Sequence, residues 1–213
     1  MELISVNVSL PRDVNWKGRT VTTGIFKEQI AGAVRLRKLN LDGDRQADLS
    51  VHGGPEKAVY GYPSEHYSYW RDELERSDLG WGMFGENFTT AGILEAETNI
   101  GDQFRIGSAL VMVTQPRMPC YKLGIKFGRD DMLKLFLSSL RSGFYFSVLE
   151  EGEVATGEEI KLVARDHHNI TVTDITKLYS IERDNDELKR RAVEVEALPA
   201  SWRNFFLKQL NGR

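Results

Sequence analysis

Short runs of alternating apolar and polar residues extend from Leu3 to about Phe127 and limit the fold more than any other feature of the chain. Alternation with period two is typical of β-strands that bury one face, and Gly, Pro, Asn and Asp between the runs indicate turns. Gly107-Ser108 joins two of these runs in a short hairpin. The predicted strands cover residues 3–8, 21–30, 34–41, 103–106, 110–114, 144–149 and 159–163.

Helical spacing appears in two places beside the strands. It predicts helices over residues 63–74, with Pro63 in the first turn, and over residues 130–140, ended by Gly143. After about residue 165 the pattern is helical throughout, with predicted helices at 174–179, 184–195 and 201–210, the last capped by Ser201. We therefore predict a mainly β fold with peripheral helices, in which residues 1–165 form a β domain and residues 166–213 a small three-helix domain.

Composition limits the kinds of molecule that the protein is expected to bind. The chain has 213 residues and a formal net charge of -3, which does not match the basic surface expected of a protein that binds a nucleic-acid polymer. A single cysteine cannot form an internal disulfide, the N-terminus lacks a signal pattern, and no apolar run approaches the roughly 20 residues that cross a bilayer. These features predict a cytoplasmic protein that acts on small molecules and not at a membrane.

The only cysteine, Cys120, lies in the segment Thr114–Gly124 together with Arg117 and Lys122. Nearby positive charge favours the thiolate, the form of cysteine that attacks electrophiles or binds metals. Two prolines, Pro116 and Pro119, favour a turn that could bring Arg117 and Cys120 into one pocket. The alternative is a buried thiol that acts only as a small hydrophobic side chain.

A second candidate segment is His52-Gly53-Gly54, followed by Lys57. Adjacent glycines allow backbone N–H groups to converge on an anion, although an ordinary glycine turn has the same composition. Gly80-Trp81-Gly82-Met83-Phe84-Gly85 matches the dinucleotide-binding pattern G-x-G-x-x-G, but it does not lead from a strand into a helix. We therefore reject a nucleotide-binding interpretation of this segment.

Three motifs taken together resemble the MOSC domain family. They are Asp44-Arg45-Gln46-Ala47-Asp48 with Val51-His52-Gly53-Gly54, then Phe84-Gly85-Glu86-Asn87-Phe88, then Gln115-Pro116-Arg117 with Pro119-Cys120-Tyr121-Lys122. The resemblance covers about residues 20–163, and the tail resembles the three-helix extension of a bacterial subgroup that reduces N-hydroxylated compounds. It implies a partly open, mostly antiparallel β-barrel that carries a molybdenum cofactor (molybdopterin).

The resemblance also implies roles for particular residues. Cys120 would bind the metal through its thiolate, in keeping with the affinity of soft ligands for redox-active metals. Further residues are candidates to hold the pterin phosphate or line its site: Arg117, Lys57, His52, Gly53 and Gly54, and with less support Arg35, Arg37, Lys122 and Asn87. His52 is also a candidate proton donor, because histidine titrates near neutral pH.

The activity implied is reduction of hydroxylamino-purines or amidoximes, with electrons from a separate flavin- or iron-sulfur-containing donor. One alternative is a sulfur carrier in which Cys120 holds a persulfide for a metal-sulfur centre or cofactor. Pyridoxal phosphate binding, a label attached to the family, ranks third because no Schiff-base lysine can be singled out. A non-catalytic binding module ranks fourth.

Overall fold

The computed structural model describes residues 1–48 and 53–212. In these ranges it contains twelve strands and six α-helices. The strands are β1 Glu2–Val8, β2 Arg12–Trp16, β3 Arg19–Thr23, β4 Glu28–Gln29, β5 Val34–Leu36, β6 Val59–Pro63, β7 Phe88–Ala91, β8 Gln103–Ile106, β9 Ala109–Pro116, β10 Phe144–Glu150, β11 Gly152–Val154 and β12 Ile160–Ala164. The helices are α1 His66–Glu73, α2 Tyr121–Phe127, α3 Met132–Ser139, α4 Val172–Ser180, α5 Asp186–Val193 and α6 Ala200–Asn211.

One eight-stranded sheet forms the centre of the fold. Its order is β12-β8-β9-β10-β6-β7-β1-β4, and its pairs are antiparallel except for β6 and β7, which run parallel. A bridge between Glu2 and Glu159 joins β1 to the segment before β12, near the opposite edge of the sheet. The sheet therefore curls around its core as a partly open barrel, and it is mostly antiparallel, as expected.

The alternation rule locates several strands well. In β1, Leu3 and the residues from Ser5 to Val6 are buried, and β8 and β9 pair as the predicted hairpin, with Gly107 at a φ of 53° in the turn. The prediction of one strand over residues 21–30 is wrong, because β3 ends at Thr23 and β4 begins only at Glu28. At Gly24 a Cβ atom would lie 2.5 Å from the backbone oxygen of Arg45, so another loop occupies the space beside the chain.

Other predicted boundaries also differ. The strand predicted over 34–41 is limited to Val34–Leu36, with a bridge from Leu36 to Leu41. Pro63 ends β6 instead of starting a helix, and α3 ends at Leu140, whose φ is 57°, before Gly143. The cap of α6 is Pro199, not Ser201.

The three-helix tail shares the main core. The largest buried cluster joins sheet residues such as Val113 and Phe146 to tail residues such as Ile175 and Phe206. The indole Nε1 of Trp202 donates to Gln115 Oε1 at 2.9 Å, which fixes α6 to β9. A capping box at Thr171 starts α4. The tail therefore packs as a continuation of the sheet core.

A second core cluster is aromatic and packs α1 and α3 beside β6. Tyr62 stacks on Phe84 with ring centroids 4.5 Å apart, and Trp70 stacks on Phe136 at 5.9 Å. Tyr67 and Trp70 of α1 are fully buried in this cluster, so the aromatic residues of this helix serve packing. The cluster also includes Tyr60 and Tyr62, so it packs directly against β6.

The Gly80–Gly85 segment is a loop between α1 and β7. It leads from a helix to a strand, which agrees with the rejection of a nucleotide-binding site there. Its backbone N–H groups at Gly82 and Phe84 donate to the buried carboxylate of Glu86 at 2.7 and 3.0 Å. The Thr89 hydroxyl donates to the same carboxylate at 3.0 Å. Burial raises the pKa of Glu86 even though these donors favour its charged form. Among the described residues, no helix has the length and apolar character needed to span a membrane.

Candidate functional site

A cleft at one end of the sheet gathers side chains from widely separated parts of the chain. Its empty volume is about 600 Å³, including the open solvent at its mouth. The lining residues are Thr23, Gly24, Ile25, Lys27, Asp44, Arg45, Gln46, Ala47, Lys57, Tyr60, Gly85, Asn87, Arg117, Cys120, Lys122 and Tyr145.

Cys120 lies where β9 gives way to α2. Pro116 ends the strand, and Cys120 takes an extended conformation at the cap position of the helix, with a φ of -118°. Its backbone oxygen accepts from Leu123 N at 2.9 Å, which closes the first turn. The side chain is half-buried and faces the cleft. The thiol is therefore held by local backbone structure and is not enclosed in the apolar core.

Arg117 is the most deeply buried cation of the cleft, with only 6% of its surface exposed. Its guanidinium carbon lies 5.0 Å from the ring centroid of Tyr60 and 5.2 Å from that of Phe136. The Nη1 atom has no hydrogen-bond partner in the part of the chain that the structure describes. A buried charged donor without an acceptor is unfavourable, so this atom suits an anionic ligand.

Two tyrosines that the sequence did not single out line the cleft with Arg117. The rings of Tyr60 and Tyr145 lie 5.5 Å apart at 44°. Burial raises the pKa of Tyr60 well above its ordinary value, and it also raises the pKa of Tyr145, while the charge of Arg117 opposes both effects. Both phenols therefore remain protonated at neutral pH. Tyr60 donates its hydroxyl to Ser142 O at 2.9 Å.

A buried ion pair between Lys27 and Asp44 also lines the cleft. The ammonium group of Lys27 donates to Asp44 Oδ1, which also accepts from Ser9 N at 2.8 Å. The other oxygen, Asp44 Oδ2, accepts from Asn87 Nδ2 at 3.0 Å. Burial lowers the pKa of Lys27 against the opposing charge of Asp44. Asp44 carries part of the family motif, but nothing in the sequence indicated that Lys27 would be its partner.

Asn87 connects this ion pair to the strands. Its Oδ1 accepts from Tyr60 N at 3.2 Å, and its Nδ2 donates to Asn7 O at 3.2 Å as well as to Asp44. Both amide hydrogens are therefore used within the protein. Asn87 lies at the cleft as predicted from its motif, and its contacts position the loop that carries Asp44 relative to β6.

The structure brings together Arg117, Lys57, Asn87, Lys122 and Cys120 from the predicted site residues. Lys57 ends a short 3₁₀ turn, Pro55–Lys57, which is capped by Gly54 at a φ of 99°. Gly53 and Gly54 therefore lead into the turn, although neither lines the cleft. His52 lies outside the described residues.

Arg35 and Arg37 do not line the cleft. Arg35 lies 3.7 Å from the carboxylate of Glu151, and Arg37 Nη2 donates to Asp42 Oδ2 at 2.8 Å. Only Arg35 lies within the short strand β5, and Arg37 follows it. Both side chains are about half exposed and form surface ion pairs.

The charge of the cleft favours an anion. Its described lining carries five cationic side chains and one carboxylate, that of Asp44. The cations are Lys27, Arg45, Lys57, Arg117 and Lys122. Converging positive charge in a partly enclosed site attracts phosphate and other anionic groups. The thiol at the same site adds a soft ligand for a metal.

A second group of possible metal ligands lies on the connection between β12 and α4. One ligand atom from each of Asp166, His167 and His168 lies within 4.8 Å of the others. This group shares no residue with the cleft. Within the described lining of the cleft, Cys120 is the one sulfur ligand.

Comparisons with known proteins agree with the motifs. A family model described as the MOSC domain matches residues 48–161, and one described as the YiiM-like, 3-alpha helix domain matches residues 170–213. The chain is 41% identical over 207 residues to the uncharacterized protein YflK of Bacillus subtilis, a match that covers 97% of this chain and 93% of YflK.

A solved structure and a larger relative complete the comparison. The crystal structure of YiiM from Geobacillus stearothermophilus matches with a TM-score of 0.83 and 36% identity over 98% of each chain. A protein of Gibberella moniliformis named reductase is 33% identical over 164 residues, which are 76% of this chain and 29% of that protein. The similarity to YiiM thus extends over both the sheet and the helical tail.

Proposed function

The chain belongs to the MOSC domain family, and from this premise we propose that it is a molybdenum-cofactor-dependent reductase of N-hydroxylated compounds. The observation that carries the proposal is the cleft in which a half-buried thiol, Cys120, lies beside a buried arginine whose Nη1 has no acceptor in the described chain. A metal ligand and an anion donor in one cationic site suit a metal cofactor with a phosphate. The relative named reductase supports a reductive activity.

The residues present fit such a cofactor. Arg117 Nη1, with Lys57 and Lys122 nearby in the lining, would hold the phosphate through charge-assisted hydrogen bonds. The Cys120 thiolate would bind the metal. When bound, the molybdenum cofactor supplies the two-electron redox chemistry.

The protein side chains would hold the substrate and supply protons. Reduction of R–NH–OH to R–NH₂ consumes two electrons and two protons and releases one water. Lys27 lies in the cleft lining, and its lowered pKa makes its ammonium group a better proton donor than an exposed lysine. The phenols of Tyr60 and Tyr145 remain protonated and shape the wall. His52 remains a candidate proton donor on the basis of the sequence.

Electrons would come from a separate protein with a flavin or an iron-sulfur cluster. None of the motifs found in this chain corresponds to a nicotinamide or flavin site. The segment matched by the fungal reductase makes up 29% of that protein, so most of its length has no counterpart here.

A sulfur carrier is the second candidate, and the half-buried position of Cys120 favours it. A persulfide on this thiol would be an anion, and the same cations would stabilise it. Metal content separates the two candidates. The carrier would have sulfur that cyanide removes and no molybdenum.

The test uses the full chain produced in two hosts, one that makes the pterin cofactor and one that cannot. We expect about one molybdenum per chain only from the first host, and turnover of a hydroxylamino-purine or an amidoxime with a chemically reduced viologen as donor. Protein from the second host controls for reduction by the viologen alone. If protein from the first host contains no molybdenum but carries sulfur that cyanide removes, the sulfur-carrier function would replace the reductase function.

A further inference from the structure

An uncharged aromatic groove lies beside the cationic cleft, at the joint between the sheet and the helical tail. Its empty volume is about 380 Å³, including open solvent. None of its described lining residues is charged. We call it the aromatic groove; it is lined by Met118, Tyr179, Ser201, Trp202 and Phe205.

The rings of the groove present faces and edges at different angles. Tyr179 lies 5.7 Å from Trp202 at 74°, and Phe205 lies 6.2 Å from Trp202 at 89°. Trp202 is 9% exposed, whereas Phe205 is 37% exposed. Perpendicular and offset arrangements are those that aromatic rings prefer, so a further planar ring can stack on the exposed ring and meet its neighbours edge-on.

Two connections join the groove to the cleft. Met118 lines the groove, while Arg117 and Cys120 line the cleft. Because successive Cα atoms are about 3.8 Å apart, the Cα atoms of Met118 and Cys120 are separated by at most about 7.6 Å. The groove is therefore within the length of a small molecule from the thiol.

The second connection is the side chain of Gln115. Its Oε1 accepts from Trp202 Nε1 at 2.9 Å, and its Nε2 donates to Glu56 O at 3.3 Å. Glu56 precedes Lys57, which lines the cleft. The Gln115 side chain thus holds both Trp202 of the groove and the turn that carries Lys57 of the cleft.

We propose that the aromatic groove binds the uncharged planar ring of the substrate while the N-hydroxyl group of the same molecule reaches the cleft at Cys120. This proposal rests on the proposed function and adds to it a binding site for the ring of the substrate. A charged ring is disfavoured because the lining offers no counter-charge.

The experiment follows the indole N–H signals of the full-length, cofactor-free protein, labelled with ¹⁵N in tryptophan, during titration with adenine. Adenine is a planar ring without an N-hydroxyl group, and acetamide serves as the probe without a ring. Trp202→Phe assigns the reporter signal. We expect a saturable shift of the Trp202 signal with adenine and none with acetamide.

Phe205→Ala should weaken adenine binding by about threefold to tenfold, as expected for the loss of one aromatic contact. Leu207→Ala is the matched control, because Leu207 lies on the same helix, is 40% exposed and does not line the groove. It should leave the affinity unchanged within about twofold, a change that corresponds to a few tenths of a kcal/mol.

A saturating adenine concentration that leaves the Trp202 signal unmoved, or an equal affinity in Phe205→Ala and wild type, would overturn the proposal. A shift confined to another tryptophan would do the same. Failure of the proposed function is separate, since it would appear as absent molybdenum or turnover while ring binding to the cofactor-free protein persisted. Conversely, an active reductase whose Trp202 signal ignores adenine would keep its function and lose the groove as a ring site.

Discussion

Replacement of Arg117 by methionine should weaken anion binding without weakening the fold. The buried guanidinium group has an Nη1 without an acceptor in the described chain, and its charge carries a desolvation cost. Methionine is unbranched and adapts to irregular space beside Tyr60 and Phe136. Replacing a buried charged group by an apolar residue of similar size is often neutral or stabilising. We therefore expect the free energy of unfolding of the cofactor-free protein to stay equal or to rise.

The ligand-bound state should respond in the opposite direction. A hydrogen bond to a charged group contributes about 1.5 to 3 kcal/mol, which corresponds to about tenfold to 150-fold in affinity. Arg117→Met should reduce binding of inorganic phosphate to the cofactor-free protein by at least that lower factor. Arg117→Lys keeps the charge but loses the forked donor, so it should lie between methionine and wild type.

Two measurements test this pair of effects. Urea unfolding without phosphate gives the stability of the cofactor-free fold, and isothermal titration calorimetry with phosphate gives the affinity. Arg35→Met is the control, because Arg35 is exposed and lies outside the cleft. The reasoning would be refuted if Arg117→Met lost more than about 2 kcal/mol of unfolding free energy, the cost of a broken structural contact, while its phosphate affinity stayed unchanged.

Two further predictions concern buried acids. Asp44→Asn removes the counter-charge of buried Lys27, so it should lower the free energy of unfolding by about 3 to 5 kcal/mol. Adding Lys27→Met to the Asp44→Asn variant should recover part of this loss. Equal stability of wild type and Asp44→Asn in urea would show that the two residues are not coupled. Because burial raises the folded-state pKa of Glu86, the folded protein holds this proton to a higher pH than the unfolded chain does, and stability should fall as pH rises from about 4 through the folded pKa. Glu86→Gln should flatten this part of the urea-derived stability curve, and an unchanged slope in the variant would contradict the assignment.

Local patterns identified most elements of the fold. Alternation is clear in β8 and in the first half of β9, where buried and partly exposed residues follow one another. In β1 and in the second half of β9 consecutive residues are buried, so these strands were located by their apolar residues and flanking turns. Alternation failed over residues 21–30 because the Arg45 backbone fills the space at Gly24, a contact between segments about 20 residues apart. The helix after Cys120 was missed as well, since its seven residues depend on the burial of Leu123 and Phe127 and have little periodicity of their own.

The same distinction holds for the site. Arg117, Cys120 and Lys122 lie close in sequence, so a motif could predict that they meet. Lys27 and Tyr145 reach the cleft from β-rich segments where a lysine or a tyrosine is unremarkable. Their contribution depends on the curled sheet and on Asp44, and no local spacing encodes that arrangement.

Serine at position 120 tests the central claim, that Cys120 binds the metal of a cofactor held in this cleft. Serine is a better helix cap than cysteine, so Cys120→Ser should fold with equal stability and still bind phosphate in the cofactor-free state. Its hydroxyl stays protonated near neutral pH and is a poor ligand for a soft metal.

The decisive measurement is the molybdenum content per chain of wild type and Cys120→Ser, purified side by side from the host that makes the cofactor. We predict about one molybdenum per wild-type chain. The Cys120→Ser variant should lose most of its molybdenum while its phosphate affinity stays unchanged. A serine variant with the full molybdenum content and undiminished reduction of an amidoxime would contradict this prediction, because Cys120 would then be only a packing residue.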